Sequence, residues 1–206
     1  MFRRAPEFFD VVAFTASSAG DAVAHNLGVA PELIIVKGRN ATQNWYGYSG
    51  TLGAGKYLTP NTASAATTGT EVWYGTEPTS TAFTIGAYLT AFNYIAYLFA
   101  TVAGISKVGS YTGNGTSQTI DCGFTSGARF VAIQRVNSAG GQWMVWDSVR
   151  GITAADNDPF FYLFGSAAQG SVSGRDINPD ASGFALNTNY DWINLSGSEY
   201  IFLAIA

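Results

Sequence analysis

Two short apolar runs decide how this sequence folds: Asn93 to Ala100 (NYIAYLFA) and Tyr200 to Ala206 (YIFLAIA). Both are rich in Ile, Tyr and Phe and far too short to span a membrane, which is typical of buried β-strands. A central strand covered on both faces needs no alternating polar residues. Each run is therefore predicted to be the last, central strand of a β-domain, and Ala206 is expected to lie near the end of the fold.

The sequence that leads to the second run repeats the sequence that leads to the first. The residue types agree in the same order, with small insertions in the predicted loops, at a period of about one hundred residues that suits whole domains. The matched segments are Phe14-Thr15 with Tyr111-Thr112, the triplet Val23, His25, Leu27 with Ile120, Cys122, Phe124, residues 31–37 with 128–134, 44–49 with 142–147, 82–85 with 183–186, and the two closing runs.

The repeat predicts an all-β fold built from two tandem β-sandwich-like subdomains that arose by internal duplication. Each half holds about seven strand patterns with turn signals between them, the spacing of a sandwich. The predicted domains are residues 1–103 and 104–206, with the boundary near Thr101 to Gly104 (TVAG).

Composition excludes several classes of function. Charged residues make up 12% of the chain and the net charge is −4, which argues against a nucleic-acid surface because such a surface needs clustered Lys and Arg. One cysteine and one histidine exclude a disulfide framework and most cysteine- or histidine-based metal sites. Arg3 and Arg4 are not followed by an apolar segment, so no signal peptide is predicted.

His25 and Cys122 occupy matched positions on the apolar face of the second strand. A ligand or catalytic residue would not usually change from His to Cys, so a packed side chain is favoured over a functional one at both positions. Free cysteine is mostly buried, which also favours an inert thiol.

No catalytic residue is predicted. A glycosidase needs two carboxylates on opposite sides of the scissile bond, and nothing in the spacing of the fourteen acidic residues selects a pair. Asp147 after Trp146 and Asp191 before Trp192 are candidates for such roles, but a carboxylate at a strand end or on the surface is favoured for both.

No cofactor or metal is predicted either. The oxygen-rich segment Asp156-Asn157-Asp158-Pro159 is a weak candidate for a calcium or sodium loop. It lacks the glycine and the distal glutamate of an EF-hand, and an Asx-Pro sequence is ordinary turn chemistry.

Aromatic residues near irregular loops are the remaining functional signal. Exposed Trp and Tyr stack on sugar rings while neighbouring polar side chains bind the hydroxyl groups, so Trp73, Tyr74 and Trp192 are the predicted ligand-binding residues. Trp45 and Trp143 match in the repeat, which favours a core position. An aromatic surface is equally typical of a subunit interface.

Several strings together resemble a domain that recurs at the C-termini of virion and tail proteins of tailed phages, including phages of cyanobacteria. They are residues 25–37 (HNLGVAPELIIVK), 105–115 (ISKVGSYTGNG), 120–130 (IDCGFTSGARF), 146–152 (WDSVRGI) and 200–206 (YIFLAIA). The resemblance covers nearly the whole chain. In that family the domain often follows a longer N-terminal region, so this chain is expected to be a stand-alone subunit or a fragment.

The resemblance implies a virion structural protein: a tail fibre or another surface appendage or capsid decoration protein, located in the virion and without enzymatic activity. Expected partners are other virion subunits, further copies of the chain and host-surface glycan, with no nucleic acid and no membrane insertion. The alternative function is a carbohydrate-binding module or a glycan-active enzyme domain. Two carboxylates facing each other across an aromatic cleft would favour the enzyme.

Overall fold

The computed structural model describes residues 5–155, 157–163 and 166–206. The chain divides into two compact units: unit 1 runs up to Pro60 and continues over Ala66–Thr101, and unit 2 holds Asn61–Ala65 and Val102–Ala206. Within unit 2 the Gly140 N–H donates to the Ala63 carbonyl at 2.6 Å, which ties the short segment to that unit. The boundary predicted at residues 103/104 thus lies two residues beyond the division between Thr101 and Val102.

Unit 1 contains eight strands and one short 3-10 helix at Ala87–Leu89. Its strands form a four-stranded antiparallel sheet in the order β1-β8-β3-β4 and two small sheets, β2-β7 and β5-β6. The strand bounds are β1 Phe9–Thr15, β2 Ala22–Ala24, β3 Leu33–Gly38, β4 Tyr46–Ser49, β5 Lys56–Tyr57, β6 Thr67–Thr68, β7 Ala82–Thr84 and β8 Asn93–Phe99.

Unit 2 contains eight further strands in two antiparallel sheets. The larger sheet has the order β13-β12-β11-β16-β9 and the smaller one the order β10-β15-β14. The strand bounds are β9 Ser106–Thr112, β10 Gln118–Asp121, β11 Phe130–Arg135, β12 Met144–Asp147, β13 Phe161–Tyr162, β14 Asn178–Asp180, β15 Gly183–Leu186 and β16 Glu199–Ile205.

The two units share both strand order and register, which confirms the repeat. The order β1-β8-β3-β4 corresponds to β9-β16-β11-β12, and the pair β2-β7 corresponds to β10-β15. The matched residues also pair alike: Ile34 lies opposite Leu98 as Val131 lies opposite Ala204. In the smaller sheets Val23 lies opposite Phe83 as Ile120 lies opposite Phe184.

Each unit buries its own core between its larger and smaller sheets. Alternate residues of β3 and β8 point into the first core, together with Val23 and Phe83 from the smaller sheet. Alternate residues of β11 and β16 do the same in unit 2, together with Ile120 and Phe184. Burying apolar side chains between two sheets is the main stabilising interaction of a sandwich. The predicted all-β, sandwich-type fold is confirmed.

The two closing strands are central, as predicted, but they are not buried to the same extent. β8 lies between β1 and β3, and β16 lies between β11 and β9. All residues from Tyr200 to Ala204 are buried, whereas in β8 the residues Ile95, Tyr97 and Phe99 are only half-buried. The prediction of cover on both faces therefore holds for β16 and is only partly correct for β8. Over the ranges the structure describes, no helix is long and apolar enough to span a membrane.

Candidate functional site: two aromatic triads

Trp73, a predicted ligand-binding residue, lies in the core of unit 1. Its side chain is 1% exposed, and its indole N–H donates to the Gly47 carbonyl at 3.1 Å. The ring makes edge-on contacts with Tyr48 at 5.8 Å and with Phe83 at 6.4 Å between centroids. The prediction is wrong for Trp73 because a large ring in an irregular segment has been drawn into the core, where its one polar group is satisfied.

Tyr74, the next predicted residue, is on the surface and separate from Trp73. It is 53% exposed and adopts a positive φ of 55°. Its ring covers Gly20, where a Cβ atom would lie 3.4 Å from the ring. The role predicted for Tyr74 in ligand binding stays a prediction.

Trp192, the third predicted residue, belongs to a group of three rings in unit 2. Its centroid lies 5.5 Å from that of Tyr162 and 5.7 Å from that of Tyr190. All three side chains are half-buried against the core of unit 2, so one part of each ring packs inward and the rest reaches the surface. We call Tyr162, Tyr190 and Trp192 the second-unit triad.

Unit 1 carries a corresponding group of three tyrosines. The ring centroids of Tyr46 and Tyr57 are 6.1 Å apart, those of Tyr46 and Tyr88 are 6.0 Å apart, and those of Tyr57 and Tyr88 are 6.3 Å apart. Tyr46 and Tyr57 are half-buried, whereas Tyr88 is 46% exposed. We call these residues the first-unit triad.

The two triads lie in similar places but are not matched residue by residue: Tyr46 of β4 belongs to the first-unit triad, whereas its counterpart in β12 is Met144. Tyr57 lies next to Leu58, which is bridged to Gly47 of β4, and Tyr162 lies next to Phe161, which pairs with Val145 of β12. Since Gly47 and Val145 are matched positions, Leu58 corresponds to Phe161; Tyr57 precedes Leu58 whereas Tyr162 follows Phe161, so the two tyrosines neighbour matched residues but are not matched themselves. Tyr88 and the pair Tyr190 and Trp192 come from the loop that precedes the closing strand.

Three tyrosines of the triads, Tyr46, Tyr57 and Tyr190, have a raised pKa. Burial raises the pKa of Tyr190 to about 12, although the neighbouring Arg175 acts in the opposite direction. Burial also raises the pKa of Tyr46 and of Tyr57, and the other tyrosines of the triad add to the effect. Tyr46, Tyr57 and Tyr190 therefore keep their protons at neutral pH, and each offers a hydroxyl group beside an apolar ring.

Charged residues flank the second-unit triad. The Arg175 guanidinium lies 4.6 Å from the centroid of Tyr190, within the range of a cation–π contact. The buried Arg135 donates to the main-chain carbonyl of Asp191 at 3.0 Å and forms an ion pair with its carboxylate at 3.5 Å. The main chain between Tyr190 and Trp192 is thus held by a buried guanidinium.

The two carboxylates that are candidates for a glycosidase role each form an ion pair with an arginine. Asp191 pairs with Arg135, and Asp147 forms an ion pair with Arg150. Asp147 also accepts the main-chain N–H groups of Val149 and Arg150, as a turn residue does.

His25 and Cys122 have structural roles, as predicted. His25 is 6% exposed, its Nε2 lies 3.1 Å from the Thr79 carbonyl, and its Nδ1 accepts the Leu27 N–H at 3.3 Å. These partners select the neutral ring with its proton on Nε2, and burial lowers the pKa of His25. Cys122 is buried, and burial raises the pKa of its thiol to about 12, which makes it a poor nucleophile at neutral pH.

Of the three weak candidates for metal ligands, Asn157 and Asp158 are among the described residues and Asp156 is not. Asp156 lies outside the described residues. The Asp158 carboxylate accepts the main-chain N–H and the hydroxyl of Thr153, at 3.0 and 2.8 Å, and the Asn157 carbonyl accepts the Ser171 hydroxyl. In the described ranges, no group of three or more His, Cys, Asp or Glu side chains is placed to hold a metal ion.

Sequence reasoning found Trp192 but missed its partners Tyr162 and Tyr190 and the whole first-unit triad as a site. One signal was available: tyrosine occurs in both loops before the closing strands, at Tyr88 and Tyr190. Two rings placed at the same point of a repeat indicate a shared surface as readily as a shared core.

Comparison with known proteins gives a family but no function. Neither the curated proteins nor the solved structures contain a match to this chain. One family model, described as a domain of unknown function (DUF7483), matches residues 5–206. The chain therefore belongs to the DUF7483 family.

Proposed function

We propose that this chain is a structural protein of a tailed-phage virion, a tail fibre or surface decoration subunit that contributes to attachment on host-surface glycan. The virion assignment rests on the sequence resemblance. The binding role rests on one structural observation, a group of three partly exposed aromatic rings in each unit, to which the loop before the closing strand contributes in both units.

The triads have the chemistry that a sugar ring requires. Each presents rings that are partly buried and partly exposed, so a ligand meets a fixed apolar surface rather than a mobile side chain. The hydroxyl groups of the tyrosines supply donors and acceptors at the edge of that surface. Aromatic residues of this kind combine a large contact area with a polar end, which suits ligands that are apolar on one face and polar at the rim.

The proposal assigns binding and no catalytic step. Asp147 and Asp191 are each held by an arginine, which supports a structural role for both over the paired acid and base of a glycosidase. The proposed partners are other virion subunits, further copies of this chain and glycan, and the proposed location is the virion.

A carbohydrate-binding module is the second candidate function, and the same triads favour it. The two functions share the ligand and differ in what the chain is attached to. A binding module would act beside an enzyme, whereas the proposed subunit would act within a particle.

Glycan-array screening of the purified chain tests the proposal. The wild-type chain is expected to bind bacterial surface glycans, and Tyr88→Ala and Trp192→Ala are each expected to weaken binding about tenfold, the effect of losing one stacking contact of about 1.4 kcal/mol. The double variant should bind about 100-fold more weakly, because the two losses add. Val149→Ala, which changes a residue that is 89% exposed and belongs to neither triad, serves as the matched control.

Three outcomes would contradict the binding role. The chain could bind no glycan, the two triad variants could bind as the wild type does, or Val149→Ala could lose as much binding as they do. Far-UV circular dichroism of each variant separates a lost contact from a lost fold.

A further inference from the structure

An arginine beside the second-unit triad carries a charge that no carboxylate pairs with. The Arg175 guanidinium is half-buried and lies 4.6 Å from the centroid of Tyr190. Among the residues that the structure describes, its side chain forms neither a hydrogen bond nor an ion pair. Taking a charged group partly out of water without an anionic partner costs free energy, so such groups are usually paired. The positive charge of Arg175 is therefore available to a ligand.

The main chain holds Arg175 in place beside the triad. Its carbonyl accepts the indole N–H of Trp146 at 3.1 Å, and Trp146 is fully buried in the core of unit 2. The Thr188 hydroxyl donates to the Gly174 carbonyl at 2.7 Å and accepts the Tyr190 N–H at 3.0 Å. One threonine thus ties the segment that carries Arg175 to the loop that carries Tyr190. The guanidinium and the ring form a surface that is organised before a ligand arrives.

The contact with Tyr190 leaves hydrogen-bond donors of Arg175 for a ligand. A guanidinium has five N–H donors, and the cation–π attraction does not require hydrogen bonds from them. Two of these donors match the two oxygens of a carboxylate and form paired, charge-assisted hydrogen bonds with it. A carboxylate is therefore the ligand group that suits Arg175 best.

Two acidic side chains in the same segments are engaged by other groups. Asp191 forms an ion pair with Arg135 at 3.5 Å. Asp176 is buried, and its carboxylate accepts the Gly174 N–H at 2.9 Å. Neither of them pairs with Arg175 over the described ranges, so the guanidinium remains the positive charge at the rim of the triad.

The first-unit triad has a negatively charged neighbour instead. The Tyr88 N–H donates to the Glu71 carbonyl at 2.8 Å, which places Glu71 next to this triad. Burial raises the pKa of Tyr57, and Tyr88 and the Glu71 carboxylate add to the effect. A carboxylate repels an acidic ligand, so the two triads offer opposite charges to a glycan.

We propose that the second-unit triad binds an acidic sugar, a hexuronic acid or another ring that bears a carboxylate, and that Arg175 selects it. The sugar ring stacks on Trp192, the ring that contacts both Tyr162 and Tyr190. Its carboxylate points toward the guanidinium that lies on Tyr190. This specificity rests on the proposed glycan-binding function, because it names the class of sugar that one of the two triads takes.

A glycan array that carries hexuronic-acid glycans, each beside the same glycan after carboxyl reduction, tests this specificity. Reduction converts the carboxylate into a hydroxymethyl group and keeps the sugar ring, so each pair isolates the charge. The wild-type chain is expected to bind the acidic member of a pair about tenfold more tightly. Arg175→Gln removes the charge and keeps a polar side chain, so the ratio of the two affinities should fall to about one.

Arg150→Gln is the matched control. The Arg150 guanidinium also lies on an aromatic ring of unit 2, 4.8 Å from the centroid of Phe161, but it forms an ion pair with Asp147. The substitution changes the net charge by the same amount outside the triad, so the ratio of affinities should stay at the wild-type value. The wild-type preference needs no variant and stays decisive even if circular dichroism shows a change of fold in Arg175→Gln.

Different results separate this specificity from the binding function on which it rests. If the wild-type chain binds both members of a pair equally, or the reduced member better, Arg175 does not select a carboxylate, while glycan binding stands. An unchanged ratio in a folded Arg175→Gln chain overturns the specificity as well. So does an equal fall of the ratio in Arg150→Gln, because net charge alone then explains the preference. A wild-type chain that binds no glycan overturns the binding function and the specificity together.

Discussion

Asp21 and Gln118 occupy the same position in the two repeats, Asp21 directly before β2 and Gln118 as the first residue of β10, yet they bond in different directions. Asp21 accepts N–H groups from the turn that precedes it, and Gln118 donates across the gap to β9 and to Asn194. The carboxylate of Asp21 can only accept hydrogen bonds, whereas the amide of Gln118 can also donate them. This one change of side-chain chemistry accompanies the difference between the open edge of β1 and the closed edge of β9. Two units of the same strand order thus offer different surfaces.

The loop before the closing strand adds to the difference. The Ala91 N–H donates to the Ala16 carbonyl, and the Gly197 N–H donates to the Gly113 carbonyl, so these residues are matched. Between them and the preceding strand lie residues 85–90 in unit 1 and the longer segment 187–196 in unit 2. The additional residues carry Trp192 and Asn194. The insertion therefore both completes the second-unit triad and closes the edge of β9.

The largest loss of stability is expected from substituting Asn194, the residue of unit 2 that closes the edge of β9. Asn194 is fully buried, and its side chain bonds to Asn114, Thr116, Gln118 and Thr188. Asn194→Ala leaves these groups without their partner and is expected to lower the free energy of unfolding by about 3 kcal/mol. Urea denaturation measures the loss.

Asn187→Ala is the control for that substitution. Asn187 accepts an exposed hydrogen bond from Ser117, so its loss is expected to cost less than about 0.5 kcal/mol. Equal losses for the two variants would show that Asn194 does not hold the loop in place.

A smaller effect is expected where the loop of unit 2 passes closest to the turn after β9. A Cβ atom at Gly113 would lie 2.3 Å from the Leu195 carbonyl oxygen, so the backbone of the loop must move. Gly113→Ala is expected to lower the free energy of unfolding by about 2 kcal/mol, the usual cost of overpacking. It should also speed hydrogen exchange at the Gly197 N–H, which bonds to Gly113.

The matched variant in unit 1 is Ala16→Gly, because Ala16 corresponds to Gly113. Unit 1 already accommodates a methyl group at this place, so the change is expected to cost only about 1 kcal/mol through backbone entropy. If Gly113→Ala proved as mild as Ala16→Gly, the loops of the two units would not differ in how closely they approach the turn.

Local pattern was sufficient to predict most of the strand framework. The closing strands span Asn93–Phe99 and Glu199–Ile205, within one residue of the two apolar runs. The equivalence of His25 and Cys122 in the two repeats also followed from sequence, because alternation along a short strand fixes which residues share a face. Repetition made these predictions stronger, since each half checked the other.

The candidate site was harder to predict because it depends on contacts between distant segments. Tyr57 and Tyr88 meet Tyr46 only after three separate elements have packed together. Trp73 was placed on the surface because its neighbours form no regular strand, but the core of unit 1 takes up the whole ring. Exposure of an aromatic side chain in a loop is set by packing density, which a local pattern does not encode.

The smallest expected effect concerns pH and the pair His25 and Cys122. Burial lowers the pKa of His25 in the folded chain, whereas the unfolded value is about 6.5. The unfolded chain therefore takes up the proton first as pH falls, and stability that is fully present above about pH 6.5 is lost as pH falls toward the folded pKa. His25→Cys places the matched residue of unit 2 at this position and removes the titrating ring.

His25→Cys is expected to be less stable than the wild type at pH 7.5, because the ring's contacts with Thr79 and Leu27 are lost. At pH 5.5 the wild type also loses the contribution of the neutral ring, while the variant does not. The difference in the free energy of unfolding between the two chains should therefore shrink from pH 7.5 to pH 5.5 in urea titrations. A constant difference would mean that His25 is protonated equally easily in the folded and unfolded chain, and that its burial in unit 1 imposes no cost on the charged ring.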